Sequence, residues 1–441
     1  MLPTGVYLAP MVRGSELAFR MLTRERGDAS LCYSPMLRDR DVISVAMMMM
    51  ADDPENEEGS FATKNDDDGR RLLKIDSAGR TDPVEETSYL LLRDSHPDDT
   101  VNLVVQMCGS RPSTIGRATT ALLDIYSRKN ERGRGGVILP FGIDLNLGCP
   151  QECALAGGFG AFLVEKDACA AVSCVSSMRD AIDAYVSEGT TDDGPVIRKP
   201  LLSAKIRLLE NGADDTIDFV RRLHSAGVDY VTVHCRHRTD KHNGVADWDS
   251  GGMIVDAMSR GYDGGGLPIV LNGGISNYDD ARRVMDRTKC HAVMAATGYL
   301  SNHRKFGGGR PSSTDRHIID VASLALEYLE YAERYPPPSY LYVQKHMRWI
   351  FRYALMPEDE PGFDKSDYTD WRVKLWPLLV RSFVRTIEQF RLFVALYVRL
   401  SGGDVYGGDG GDDRVALRSI RHLIPDATFG SVKKAGNMSF R

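Results

Sequence analysis

Eight short apolar or β-branched runs alternate with helix-like segments between residues 5 and 300, and this alternation leaves few folds open. The runs lie at 5–9, 31–34, 101–107, 137–146, 202–206, 230–235, 268–272 and 292–295. Helical periodicity between them is clear at 15–26, 215–226 and 278–287. In the first of these, Ser15 is placed to cap the helix, and Ala18, Phe19 and Leu22 form an apolar stripe. Eight βα alternations over this length predict an α/β fold, a (β/α)8 TIM barrel, with catalytic groups at the C-terminal ends of the strands.

The strand ends carry the residue types that such a barrel needs. In order they are Pro10 and Met11, Gln106, Asn146 with Cys149, Lys205 and Arg207, His234 and Arg236, Asn272 with Gly273 and Gly274, and Thr297 with Gly298. One polar residue at a strand end means little; the repetition is the signal. After residue 309 the pattern becomes purely helical, at 314–334, 339–356, 366–377 and 379–400, with Pro336, Pro337 and Pro338 breaking the first from the second. The predicted organisation is a catalytic barrel over 1–309, a small all-helical domain over 310–400, and a Gly/Asp-rich linker and basic tail over 401–441.

With 441 residues, 42% of them apolar, the chain can bury a large core, and no apolar run reaches the length of a membrane span. The first strand-like run begins almost at Met1, which leaves no room for a leader peptide. Eight scattered cysteines are not a disulfide framework in a chain of this size and favour a reducing compartment. The cytoplasm is the default, with the nucleus or an organelle left open. The net charge of −6 is unevenly spread. Residues 51–69 hold eight carboxylates against Lys64 and read as a solvated, disordered insertion, leaving +1 for the rest of the chain. The last residues, 414–441, carry six basic side chains against Asp426, so the acidic balance does not exclude RNA.

Cys149 follows the run ending at Asn146, turns between Gly148 and Pro150, and precedes Gly157, Gly158 and Gly160. It could be a structural cysteine, a metal ligand, or an acid or nucleophile on a loop. Cys153 lies close by without a second pair, so the spacing gives no metal site. The barrel context favours acid–base or nucleophilic chemistry. Lys205, in SAKIRL, can neutralise an electron-rich ring or anion in the barrel mouth, or form an ion pair at the rim. His234 and Arg236 alternate in VTVHCRHR and point to one side of their strand. The glycines of Asn272-Gly273-Gly274 and the Ala296-Thr297-Gly298 turn follow the last two strands, where barrels bind phosphate. Either could be a plain turn; together they predict a phosphate-bearing cofactor. The Met47–Met50 run and the other cysteines are expected to fill core volume. Lys345, Arg348 and Arg352 fall on one helical face with His346 and Trp349 nearby, a solvated face or an RNA-backbone contact.

These residues resemble the tRNA-dihydrouridine synthases, a family of flavin-dependent reductases, through APMVRGSELAFR, VVQMCG, DLNLGCPQ, GGFGAFL, AKIRL, VTVHCRHR, ADW, VLNGGI and the final ATG. The wording of the motifs, with PPSYLYVQKH, looks most like the eukaryotic branch that acts on D-loop uridines sixteen and seventeen. The resemblance implies an FMN-bearing barrel, NADPH or NADH as electron donor, tRNA as the partner, and neither membrane nor metal; a monomer is expected. By motif, Pro10, Met11 and Val12 would lie against the flavin and Gln106 would bond its ring edge. Lys205 and His234 would contact the ring and the charge near it, and Asn272, Gly273, Gly274, Ala296 and Thr297 would cradle the phosphate. Asn146 and Arg236 would seat the uracil, Cys149 would donate the proton, and Lys345, Arg348 and Arg352 would contact tRNA.

The 51–69 and 193–199 segments look enlarged against the family pattern, and Thr297 stands where relatives often carry Arg or Glu, so its phosphate contact would be through backbone. Two other readings keep part of this picture: a flavin-dependent barrel reductase of a small molecule, of the dihydroorotate or enone type, and a non-catalytic tRNA-binding factor. The first has no need of the basic helical face; the set of Cys149, Lys205 and His234 argues against the second.

Overall fold

The computed structural model describes residues 1–51, 81–94, 96–131, 138–189, 198–240, 243–259, 266–307, 318–357 and most of 360–401. The acidic 51–69 insertion, apart from Ala51, most of the 193–199 segment and the tail beyond Ser401 lie outside the described residues. By compactness the chain divides into one unit of Met1–Arg20 with Ala29–Ala296 and a second of Met21–Asp28 with Thr297 onward.

The first unit is the (β/α)8 barrel. Its strands are β1 (Val6–Leu8), β2 (Ala29–Tyr33), β3 (Leu37–Arg38), β4 (Leu103–Cys108), β5 (Gly142–Leu147), β6 (Leu201–Leu208), β7 (Tyr230–His237), β8 (Ile269–Asn272) and β9 (Ala292–Ala295). All pair in parallel in the order β2-β1-β9-β8-β7-β6-β5-β4-β3, and a β2–β4 pairing closes the ring. The closed barrel therefore has eight strands, with the two-residue β3 as an addition against β4. The expected run at 137–146 begins as a strand only at Gly142, because Pro140 has no N–H to give to a ladder.

Side chains of alternate residues meet on the barrel axis. Tyr7, Leu31, Tyr33, Val104, Tyr230, Val270, Ala292 and Met294 form one buried cluster there, with the Tyr33 and Tyr230 hydroxyls 2.7 Å apart. Ser15 does not cap the first helix. Its Oγ accepts from Met11 N at 3.0 Å, tying down the loop after β1, while the Leu17 N–H is taken by the Asp94 carboxylate at 2.9 Å. Asp94 is available because Arg20, fully buried, is ion-paired to it and to Asp99.

The second unit contains the helices Ile318–Arg334, Tyr340–Leu355, Trp371–Val380 and Ile387–Leu400. The two expected segments after residue 366 meet differently from the prediction. Thr386 caps the last helix in a capping box with Gln389, so the chain breaks after Val380 and restarts at Ile387. Phe351 packs edge-on against Phe393 and Tyr397, and all three are buried.

Candidate active site

The inward positions of the barrel strands change character from one end to the other. The register pairs Gln106 with Asp144, Asp144 with Ser203, Asn146 with Lys205, Lys205 with Thr232, Arg207 with His234, and His234 with Asn272. Apolar residues such as Val104, Tyr230 and Val270 precede these by two or four positions. Period-two alternation thus stacks an apolar layer below and polar layers above, at the C-terminal ends of the strands.

Cys149 sits on the loop leaving β5, partly exposed. Four hydrogen bonds hold the backbone of Gly148 and Cys149. Asn146 Oδ1 accepts from the N–H groups of Gly148 and Cys149 at 3.2 and 3.0 Å. Arg207 Nε donates to the Gly148 carbonyl at 2.9 Å, and the Cys149 carbonyl accepts from Ala161 N at 3.2 Å. Gly160 has φ +66°, and a Cβ there would lie 2.9 Å from the Cys149 carbonyl oxygen. The glycine cluster therefore lets the chain fold back over the cysteine. Burial pushes the Cys149 thiol above its ordinary value, opposed by the Gln151 N–H and the nearby Arg207 charge. At neutral pH the group is a thiol, suited to giving a proton rather than attacking as a thiolate.

On β6, burial and the neighbouring Arg207 pull the Lys205 ammonium down to about 8. Arg207, lowered to about 10 by burial and by Arg236, also donates from Nη1 to the His237 carbonyl at 2.9 Å. A two-residue register shift between β6 and β7, after Arg207 and His234, displaces Cys235 and Arg236 from the ladder. Arg236 Nη1 reaches His234 Nε2 at 3.2 Å, and its Nε and Nη2 donate to the Gly244 carbonyl. A guanidinium has no acceptor, so His234 Nε2 accepts in this contact and the ring carries its proton on Nδ1.

Asn272 donates to the Met294 carbonyl at 2.8 Å, bracing the ends of β8 and β9. Gly273 follows at φ +108°, with room only for hydrogen: a Cβ would stand 2.8 Å from His234 Cδ2 and 3.1 Å from its Nε2. Its carbonyl accepts from Trp248 Nε1 at 2.9 Å, which gives the ADW motif a role in shaping this turn. Pro10 and Met11 are half-buried after β1, and Val12 is 54% exposed. Ala296 follows β9, and Thr297 is exposed at the start of the short helix Thr297–Ser301, in the second unit.

In the second unit, Arg348 and Arg352 are exposed and Lys345 is half-buried on one face of Tyr340–Leu355, with Arg352 over the Trp349 ring. His346 is not part of that face; it is buried, with its ring tilted against that of Tyr328 at a centroid distance of 4.3 Å. The methionine run also departs from expectation. Met47, Met48 and Met50 are exposed, at the end of the helix Asp39–Ala51. Cys32, Cys108, Cys174, Cys235 and Cys290 fill the core as expected, whereas Cys153 and Cys169 are exposed. Among the described residues no group of three or more His, Cys, Asp or Glu could hold a metal ion, and no helix is long and apolar enough to cross a membrane.

Reading the sequence for strand ends missed the buried residues one layer below. Asp144 accepts from Ser203 Oγ at 2.6 Å and from Gln106 Nε2 at 2.7 Å, and Gln106 Oε1 accepts from Asn146 Nδ2 at 2.9 Å. The signal was present: Asp144 and Ser203 stand two residues before Asn146 and Lys205, on the same side of their strands.

A family model described as dihydrouridine synthase matches residues 7–63 and 81–356. Among curated proteins, the mouse (Mus musculus) tRNA-dihydrouridine(16/17) synthase (NAD(P)(+))-like protein is 28% identical over 351 residues, covering 79% of this chain and 55% of that one. The human (Homo sapiens) tRNA-dihydrouridine(20a/20b) synthase (NAD(P)+)-like protein is 27% identical over 321 residues, 72% of this chain and 75% of that one. The tRNA-dihydrouridine(16/17) synthase (NAD(P)(+)) of Saccharomyces cerevisiae is 26% identical over 333 residues, 74% of this chain and 60% of that one. The chain thus spans little more than half the length of the mouse relative. With its barrel, the tethered cysteine loop and a match over most of its length, the chain belongs to the dihydrouridine synthase family.

Proposed function

We propose that this chain reduces a uridine in the D-loop of tRNA to 5,6-dihydrouridine, with FMN as resident cofactor and NADPH or NADH as electron donor. The observation that carries the reading is the arrangement at one end of the barrel. A half-buried, protonated thiol on a tied-down loop stands at the ends of the strands that carry Lys205, His234 and Asn272.

The residues present suit a flavin mononucleotide. Gly273 and Gly274 take positive φ angles, and a Cβ on Gly273 would close the space beside His234. The turn therefore offers backbone N–H groups to a phosphate without obstruction. Thr232, one layer below His234, has a buried hydroxyl with no hydrogen-bond partner among the described residues. Lys205 supplies positive charge for the ring edge that becomes electron-rich on reduction, with Gln106 and His234 as further polar partners. Pro10, Met11 and Val12 would border the ring, and Ala296 and Thr297 would add backbone contacts to the phosphate. FMN, when bound, supplies the transfer of hydride from the nicotinamide to the uracil.

The rest is the protein's part. The reacting carbon–carbon bond of a uridine in folded tRNA is out of reach, so the base must be extruded into the barrel mouth. Arg236, and Asn146 beneath the loop, would seat it. As hydride arrives at one carbon of the 5,6 double bond, the Cys149 thiol gives its proton to the other. The thiolate left behind takes a proton from solvent. Arg207 and the Gln151 N–H, which favour the charged form, stabilise that thiolate. The basic face of Lys345, Arg348 and Arg352 would meet the phosphate backbone of tRNA.

The position resembling sixteen and seventeen rests on the motifs, and relatives named for 16/17 and for 20a/20b are similar to this chain to nearly the same degree. The purified protein is expected to bind FMN and, with NADPH, to raise the mass of a D-loop uridine in unmodified tRNA by two hydrogens. Protein that binds no FMN, or that reduces a free enone or pyrimidine but no tRNA, would contradict the reading.

A further inference from the structure

We propose that Asp144 is a positioning residue: its carboxylate sets the polarity of a hydrogen-bond relay, through Gln106 and Asn146, that holds the Cys149 loop in place for proton donation. The proposal rests on Cys149 being the acid.

The relay has a direction. An ionised carboxylate can only accept, so Gln106 must turn Nε2 toward Asp144, as it does at 2.7 Å. That leaves Gln106 Oε1 facing Asn146, which must answer with Nδ2, at 2.9 Å. Asn146 Oδ1 is then the atom that faces the loop, where it accepts from Gly148 N and Cys149 N at 3.2 and 3.0 Å. Two side-chain amides, each free in principle to flip, are fixed by one buried anion at the end of the relay away from the loop. Reversing Asn146, directly or by way of Gln106, would aim its NH2 group at two backbone N–H donors and release the loop.

Asp144 is completely buried, and Ser203 Oγ donates to its other oxygen at 2.6 Å. The titratable groups around it are Lys205 on β6, Tyr33 on β2 and Tyr230 on β7. Burial raises both tyrosines, so they remain neutral, and Lys205 is the cation that favours the carboxylate. Burial pushes Asp144 itself up to about 6, against the hydrogen bonds from Ser203 and Gln106. A carboxylate near this value is ionised at neutral pH and loses its acceptor-only character as the pH falls through 6.

The test uses the FMN-loaded protein and hydrogen exchange of the peptide containing Gly148 and Cys149, beside turnover on tRNA. Asp144→Asn, nearly isosteric, gives Gln106 a partner that can donate, and the relay is free to reverse. Exchange of that peptide should accelerate about tenfold, the effect of losing one to two hydrogen bonds. The kcat for uridine reduction should fall by about the same factor, with flavin reduction by NADPH unchanged. The double variant Asp144→Asn/Asn146→Asp restores an acceptor facing the loop with the relay reversed and the charge conserved, and exchange should return toward that of the wild type. A merely structural burial of charge predicts no such rescue.

Wild-type exchange and turnover in Asp144→Asn, or a double variant no slower in exchange than the single, would overturn the proposal. If Asp144→Asn does not fold, the wild type decides: loop protection, corrected for intrinsic exchange, should drop between about pH 7.5 and about pH 5, and constant protection would overturn the relay. Full turnover in Cys149→Ala is a separate outcome. It removes the acid reading and with it the purpose of the relay, while the exchange result still reports whether the relay holds the loop.

Discussion

The barrel mouth and the basic face of the helix Tyr340–Leu355 display charge in opposite ways. In the mouth, Asp144 and Arg207 are enclosed and Lys205 and Cys149 partly so, and burial shifts each away from its ordinary value. Asp144 is bound by Ser203 and Gln106, and Arg207 by the Gly148 and His237 carbonyls. On the helix, Arg348 and Arg352 stand in solvent, and Arg352 lies over an indole. Groups that must sit within a fraction of an ångström of a reacting atom are held by a rigid polar network. Groups that meet a phosphate backbone need charge and reach, and can remain solvated until the RNA arrives.

Mutation should break the two regions differently. The largest effect belongs to Cys149→Ala, which is expected to keep its flavin absorbance and lose about 10²- to 10⁴-fold in uridine reduction. Stopped-flow separation of flavin reduction from flavin reoxidation by tRNA checks this, and only the second step should suffer. Next comes Gly273→Ala. At φ +108°, with His234 Cδ2 2.8 Å from the new Cβ, the strain of roughly 1–3 kcal/mol should weaken FMN binding by about one order of magnitude or more, read by fluorescence titration.

A smaller change is expected on the helix. Arg348→Glu with Arg352→Glu should raise the KM for tRNA about tenfold and lower the salt dependence of binding by about two in logarithmic slope. FMN content and NADPH oxidation should stay as they are. If small-molecule reduction were the true activity, this pair would change nothing at all. The smallest expected effect is one of pH. Because burial raises the Cys149 thiol, its acid form persists as the pH rises through the ordinary thiol range. Alkylation of Cys149 by iodoacetamide should therefore stay slow at neutral pH and speed up only above the ordinary thiol range, whereas kcat, which also needs the Lys205 charge, should decline as that ammonium titrates at about 8. Alkylation already fast at pH 7 would mean a thiol held low, and would contradict the burial argument.

The sequence and the structure agree on these regions to different depths. The eight barrel strands were legible because period-two runs flanked by helical periodicity admit little else, and their polar ends followed from the barrel rule. Strand bounds were less legible: β5 starts five residues later than the apolar pattern suggests, since Ile138, Leu139 and Phe141 are apolar without belonging to the ladder. Leu37–Arg38 is too short to leave a pattern at all. The layer below the mouth was overlooked for another reason. Asp144 and Ser203 matter through partners on neighbouring strands, and a register of strands cannot be seen in any one of them. His346 and the Met47–Met50 run show the limits of local composition. A histidine between basic residues faces the core, and an apolar run faces outward, because a helix assigns its residues by angle rather than by adjacency.

The most direct measurement of the central claim is position-resolved mapping of dihydrouridine in tRNA from cells that lack this protein, with the wild-type chain and Cys149→Ala returned in separate strains. Dihydrouridine should disappear from a defined D-loop position, come back with the wild-type chain, and stay absent with Cys149→Ala although that protein carries flavin. Dihydrouridine unchanged at every tRNA position in the deleted strain would contradict it.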